Sequence, residues 1–170
     1  MAPELHIVPI DRGRELFRDL LLLADEQWDM VELYLHRGEM FAAYAEDAPC
    51  FKVDSALMSD RALGCMIVTD EGIDDRGLRI AEVKSLAVDA AHQRSGIGRA
   101  LLEFAARHVA HEHDVLQVGT GDSPLTVPFY EACGFARSCV LPNFFVDNYD
   151  HPIIEAGIQL KGMVMLERRL

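Results

Sequence analysis

The stretch Gln93-Arg94-Ser95-Gly96-Ile97-Gly98-Arg99-Ala100 carries residue types that could hold a phosphate. Upstream, Glu82-Val83-Lys84-Ser85-Leu86-Ala87-Val88 alternates and is rich in apolar residues, which predicts a strand. Downstream, Leu101, Leu102, Ala105 and Val109 recur at helical spacing, so a helix opens within or just after the glycines. Such a junction aims unpaired backbone N–H groups and the positive end of a helix dipole at one point. Gly96 and Gly98 leave that backbone open to close approach, so the chemistry implied is a pyrophosphate seat. A nucleoside-triphosphate loop would need Gly-Lys-Ser/Thr at its end, and no lysine stands there. A dinucleotide fingerprint would need a third glycine where Leu101 stands, with no Asp89-Ala90-Ala91-His92 between strand and motif.

Other reactive residue types are spaced less tellingly. His108 and His111 stand three apart, with His113 nearby, but no carboxylate joins them at metal-ligand spacing. They read as cations at a helix C-terminus. Cys50, Cys65, Cys133 and Cys139 have neither zinc spacing nor the density of a disulfide scaffold, so reduced, mostly core thiols and a cytoplasmic setting are expected. No metal is expected. No Ser-His-Asp order carries a nucleophile turn, and Met163 and Met165 alternate as core residues of a last strand.

Gln93, Gly96 and Gly98 fill a Gln/Arg-x-x-Gly-x-Gly/Ala pattern after a strand that ends Ala-Val-Asp. Later, Pro128-Phe129-Tyr130-Glu131-Ala132-Cys133-Gly134-Phe135 forms a helix end capped by glycine. The two motifs in this order resemble the GNAT superfamily of acyl-CoA-dependent N-acyltransferases. The resemblance implies acetyl-CoA as co-substrate, gripped by backbone amides from Arg94 through Ser95, Gly96, Ile97 and Gly98 to Arg99. The Arg94 and Arg99 side chains would add charge. It also implies a pantetheine arm lying along Leu86, Ala87 and Val88 like an added strand, with the Leu86 N–H facing the developing oxyanion. Glu82 lies eleven positions before Gln93, the spacing at which one group of histone-acetylating GNAT enzymes carries its catalytic glutamate. Its carboxylate could take the amine proton, directly or through water. Tyr130 matches the GNAT tyrosine that faces the CoA sulfur and would be the acid. The asparagine many GNAT domains place before this tyrosine is missing, and Ser123, within Asp122-Ser123-Pro124, could donate to pantetheine instead.

The tail, with Asn143-Phe144-Phe145, Asn148-Tyr149, Pro152-Ile153 and Glu155-Ala156-Gly157-Ile158, resembles a bacterial GNAT branch with an extended link between its last strands. In GNAT enzymes this region helps form the acceptor pocket, which makes Phe144, Phe145, Asn148 and Tyr149 candidates for lining it. The two phenylalanines could equally be packing residues of a long loop. The implied function is acetyl transfer to a primary amine of a small molecule, by direct attack in a ternary complex. Peptide or protein amines come second, and a catalytically silent acyl-CoA-binding module is the alternative. GNAT domains often pair through terminal strands, which makes a homodimer an expectation.

The elements that must position these residues follow from patterning. At 170 residues and 50% hydrophobic content, with 26% charged residues, the chain can bury one sizeable core and reads as a single domain over residues 1–170. The net charge of −12 argues against nucleic acid and could draw a cationic amine. Leu20–Ala24 is bounded by Asp19 and Asp25, so no membrane span is expected, and Met1–Ile10 lacks the pattern of a secretory signal. Strands are predicted at 5–10, 39–46, 63–69, 78–88, 115–118, 135–141 and 162–167. A polar turn at 70–77 would make a hairpin of the third and fourth. Helices are predicted from an Asp11 N-cap through Leu23, over 25–36 with Gly38 ending it, from the motif to about His111, and over 124–133. The fold class is α/β (α+β), a GNAT-like mixed, mostly antiparallel sheet of six to seven strands with helices on both faces.

Overall fold

Glu39–Ala45 shows why a sheet with two covered faces forms. Met40, Ala42 and Tyr44 point one way and Phe41 and Ala43 the other, and all five are buried. The computed structural model describes residues 5–46 and 55–170. Its strands are β1 (Leu5–Pro9), β2 (Glu39–Ala45), β3 (Gly64–Ile73), β4 (Arg79–Val88), β5 (Val115–Gly121), β6 (Ala136–Leu141), β7 (Ile154–Glu155), β8 (Ile158–Gln159) and β9 (Met163–Arg169). Seven of them form one sheet in the order β1-β2-β3-β4-β5-β9-β6, and β7 and β8 pair separately. Pairing is antiparallel for β1/β2, β2/β3, β5/β9 and β6/β9, and parallel for β4/β5. The expectation of a mixed, mostly antiparallel sheet holds.

The chain packs as two compact units, residues 1–69 with 84–105, and residues 70–83 with 106–170. In the first unit, α1 (Arg18–Ala24) and α2 (Trp28–Glu32) bury Leu20, Leu21 and Val31 with Met40, Ala42, Tyr44, Cys65 and Ile67. The other side of β2 meets α4 (Ile97–Val109), where the Phe41 and Phe104 rings stand edge to face at 5.0 Å. A short helix α3 (Ser55–Arg61) precedes β3. Burial pushes the Cys65 thiol up to about 12, so it stays a protonated, unreactive core group. Cys133 is also buried and is not in a disulfide, Cys139 is exposed, and Cys50 lies outside the described residues.

The second unit is built on β5 and β9, paired from Val115↔Arg169 to Gly121↔Met163. The turn between β3 and β4 is closed by Asp74, whose Oδ1 accepts the N–H groups of Arg76 (2.9 Å) and Leu78 (3.1 Å). Arg76 then reaches Glu167 on β9 with both Nη atoms, each at 2.9 Å, a forked ion pair. The helix α5 (Val127–Ala132) precedes β6, and α6 (Phe144–Asn148) follows it. His113 stands just past α4, its Nδ1 3.3 Å from the Val109 carbonyl and its Nε2 3.3 Å from Asp70. Asp70 is held below the usual carboxylate range by the Gly72 N–H and then by His113.

Several predicted boundaries are corrected. Asp11 does not cap the first helix. Gly13, in the left-handed region at φ 68°, precedes a 3-10 turn over Arg14–Phe17 that runs into α1. Arg14 instead ties the region together, donating to the carbonyls of Ile10 (3.1 Å), Leu35 (2.7 Å) and Gly38 (2.8 Å). The second helix is shorter than 25–36, because Asp25 and Gln27 are extended and the chain after Leu33 continues as turns. The polar stretch 70–77 is only partly a turn, since β3 runs on to Ile73 and the reversal occupies Asp74–Leu78.

Leu21 is fully buried whereas Leu33 is 64% exposed. Leu21→Ala should cost about 2–5 kcal/mol in denaturant unfolding. Leu33→Ala should stay within about 0.5 kcal/mol. Equal costs would contradict this assignment of the core.

Candidate active site

The candidate residues fall in two groups, one in each unit. In the first unit, β4 gives way to a short 3-10 turn, Ala90–His92. Asp89 starts it, its carboxylate accepting the Ala91 N–H at 3.0 Å and lying 2.8 Å from His92 Nδ1. Those contacts, the His92 bond first, hold the Asp89 carboxyl below its ordinary range. The next residues fold back on the strand. Gln93 Nε2 donates to the Val88 carbonyl at 3.2 Å, and Ser95 Oγ donates to the His92 carbonyl at 2.5 Å. Arg94 (φ 62°) and Gly96 (φ 92°) both take the left-handed conformation. The Gly96 carbonyl accepts the Ala100 N–H at 3.0 Å, so α4 opens at Ile97. Its first-turn N–H groups, on Ile97, Gly98 and Arg99, have no carbonyl of their own helix to bond. Residues 93–96 are exposed, and nothing lies within 4 Å of where a Gly96 Cβ would stand. Open backbone, a helix N-terminus and two exposed arginines (94 and 99) fit a diphosphate.

Burial along β4 alternates without a break from Val83 to Val88, with Ser85 and Ala87 buried and Lys84, Leu86 and Val88 half-buried. Leu86 and Val88 therefore share a side of the strand with Glu82, and Ala87 turns into the core.

In the second unit, β4 pairs with β5 from Ile80↔Val115 to Val83↔Val118, which sets Glu82 opposite Gln117. Gln117 Nε2 donates to Glu82 Oε2 at 2.5 Å. Glu82 is 8% exposed, the one charged side chain buried among the described residues. Gln117 is the contact that the sequence does not announce, because only the register of a parallel pair brings it to Glu82. Tyr130 lies on α5, 8% exposed, with its ring edge-on to Phe129 (5.1 Å) and Phe135 (5.9 Å). Burial raises the affinity of its phenol for the proton, and the Cys133 and Glu155 charges add to the effect. The hydroxyl is thus a donor at any ordinary pH. Ser123 is buried, and its Oγ accepts the Leu125 N–H at 3.1 Å in the turn leading to α5.

The link between β6 and β9 holds the remaining candidates. Phe144, Phe145 and Tyr149 form an aromatic group with centroids 5.5, 6.5 and 5.4 Å apart. Phe145 packs into a small core with Ile153 and Leu160, while Phe144 and Tyr149 stay half-buried beside it. Asn148 is exposed and donates to the Phe144 carbonyl at 2.7 Å, closing its own helix turn.

Comparison with known proteins agrees with this geometry. Residues 36–137 match the family model described as an acetyltransferase (GNAT) domain. The chain is 32% identical to an uncharacterized N-acetyltransferase, YvbK, of Bacillus subtilis over 150 residues, 87% of this chain and 85% of that one. A GNAT family acetyltransferase from Elizabethkingia anophelis with acetyl-CoA bound superposes with a TM-score of 0.82 at 29% identity, covering 98% of both chains. A Bacillus subtilis acetyltransferase in complex with CoA gives a TM-score of 0.80 at 30% identity, covering 98% of this chain and 99% of that one. An exposed glycine turn opening a helix behind a strand with a buried glutamate, on a sheet shared with these proteins, makes the chain a member of the GNAT family, an acetyl-CoA-dependent acetyltransferase.

Proposed function

We propose that the acceptor is a primary amine of a small molecule, and that Glu82 and Tyr130 are the base and the acid of the transfer. The observation that carries this reading is the buried Glu82 carboxylate held by Gln117 at 2.5 Å. Burying a charge is costly unless it is hydrogen-bonded, and such groups concentrate where proton transfer is needed. Acetyl-CoA supplies the activated acetyl thioester; the chain supplies everything else. The amides of Arg94 to Arg99 hold the diphosphate. Leu86 and Val88 offer main-chain groups to the pantetheine arm, and the Leu86 N–H faces the oxygen on which charge develops. Glu82 receives the amine proton, directly or through water, and Gln117 fixes which way its carboxylate points. Tyr130 gives a proton to the departing sulfur. Ser123, whose Oγ accepts the Leu125 N–H, gives its own hydroxyl proton to pantetheine in place of the missing asparagine.

The net charge of −12 and the aromatic group of the β6–β9 link support a small cationic acceptor with an apolar body over a peptide chain. Membership of an acetyltransferase family sets aside the silent acyl-CoA-binding module.

Incubation with acetyl-CoA and a panel of small amines, followed by free thiol, tests the reading. Amine-dependent thiol release is expected, and release only with peptide amines would move the assignment to the second acceptor class. Tyr130→Phe should lower kcat by about 10²-fold or more, and Glu82→Gln by about tenfold or more, since water can relay part of the proton traffic. Because the Tyr130 phenol is pushed upward, it stays protonated past its ordinary range. The kcat profile should therefore show no loss of the acid below about pH 10. Gly96→Val forces a branched side chain into the left-handed region over the open amides. It should weaken CoA binding about tenfold or more by calorimetry, and unchanged affinity would remove the loop from the site.

A further inference from the structure

Of the sixteen Lys and Arg residues only three are lysines, Lys52, Lys84 and Lys161. The rest are arginines, whose guanidinium stays protonated and does not act as a nucleophile. An acetyl thioester bound to this chain therefore meets few side-chain amines of the protein itself. Lys161 is exposed in the link between β6 and β9, and Lys52 lies outside the described residues. Lys84 stands on the strand that carries the candidate site.

Lys84 follows Val83, the last residue of β4 that pairs with β5. The strand runs on from there to Val88, through the stretch whose main chain is offered to the pantetheine arm. Along it burial alternates without a break. Ser85 and Ala87 are buried, whereas Lys84, Leu86 and Val88 all keep part of their surface open. A bulge would put Lys84 and Leu86 on opposite sides; the unbroken alternation keeps them on the same one. Two residues of strand span about 7 Å. The flexible four-carbon lysine stem is of matching length, so its amine sweeps the strand as far as Leu86.

We propose that Lys84 is a self-acetylation site, its ε-amine taking the acetyl group of the acetyl-CoA bound along its own strand. The inference rests on the reading that sets the thioester oxygen against the Leu86 N–H. The ε-nitrogen, once deprotonated, attacks the acyl carbon; a C–N bond forms, the C–S bond breaks and CoA leaves as the thiol. Of the two protons the ammonium loses, one passes through Glu82 to water. The other is balanced by the proton that the sulfur receives from Tyr130. The product is an uncharged acetamide on β4. Its formation needs no amine from outside, so it proceeds when the acceptor is absent.

The test is incubation of the wild-type protein with acetyl-CoA and no added amine, followed over time by peptide mass spectrometry. An acetyl group should appear on Lys84 at least about tenfold faster than on Lys52 or Lys161, because the reaction is intramolecular. The rate per molecule should not change with protein concentration, and excess CoA, which occupies the same seat, should slow it. Lys84→Arg keeps the charge and should lose this acetyl group without gaining it elsewhere. Urea-unfolded protein should show no preference among the three lysines. Lys84 left unmodified, modified no faster than the other two, or modified in proportion to protein concentration would each overturn the proposal. Turnover of an added amine with Lys84 untouched would sink self-acetylation and leave the amine acetyltransferase standing. Acetylation of Lys84 with no added amine turned over would uphold it and remove the small-molecule acceptor.

Discussion

A carboxylate survives inside a sheet only where a donor reaches it, and here the donor arrives through strand register. Glu82 faces Gln117 because β4 and β5 run parallel over Ile80–Val83 and Val115–Val118. Two parallel strands that follow one another in sequence need a crossover, and α4 is that crossover. The helix must begin soon after β4 ends, so its N-terminus is delivered beside the end of the strand that carries the glutamate. The glycine turn solves the remaining problem of reversing the chain in few residues without side chains obstructing the amides. One topological requirement therefore accounts for both the buried glutamate and the exposed glycine turn.

What the sequence makes legible is what is encoded locally. The turn at 93–99 could be read because glycine spacing and the switch from alternating to helical periodicity are properties of a few adjacent residues. Gly134, at φ 88°, ends α5 as a glycine past a helix should, which is why the Tyr130 motif was visible. The strand order follows from the same patterns, with boundaries off by a few residues, most at β3, which extends through polar Thr69–Glu71 to Ile73.

Interactions that join distant positions were not legible. Gln117 is an ordinary polar residue until pairing sets it opposite Glu82. Arg14 shows nothing in sequence of the three carbonyls it collects from Ile10, Leu35 and Gly38. Asp11 had the right chemistry for a cap, but the left-handed Gly13 moved the helix start beyond its reach. The β6–β9 link read as extended chain because neither α6, at five residues, nor a hairpin with two-residue strands is long enough to show a period.

That link closes on itself. Leu141 pairs with Met163 where it leaves and re-enters the sheet, the Phe145 N–H meets the Lys161 carbonyl at 2.9 Å, and Gly162 packs against Pro142 and Leu141. A segment whose two feet are already joined makes few demands on the scaffold beneath it, and doubling its length would cost only about 0.6 kcal/mol in closure entropy. The link is thus a self-contained segment carried on the sheet by its two joined feet. The twenty residues 142–161 can therefore be lengthened, shortened or exchanged as one block while β6 and β9 keep their pairing.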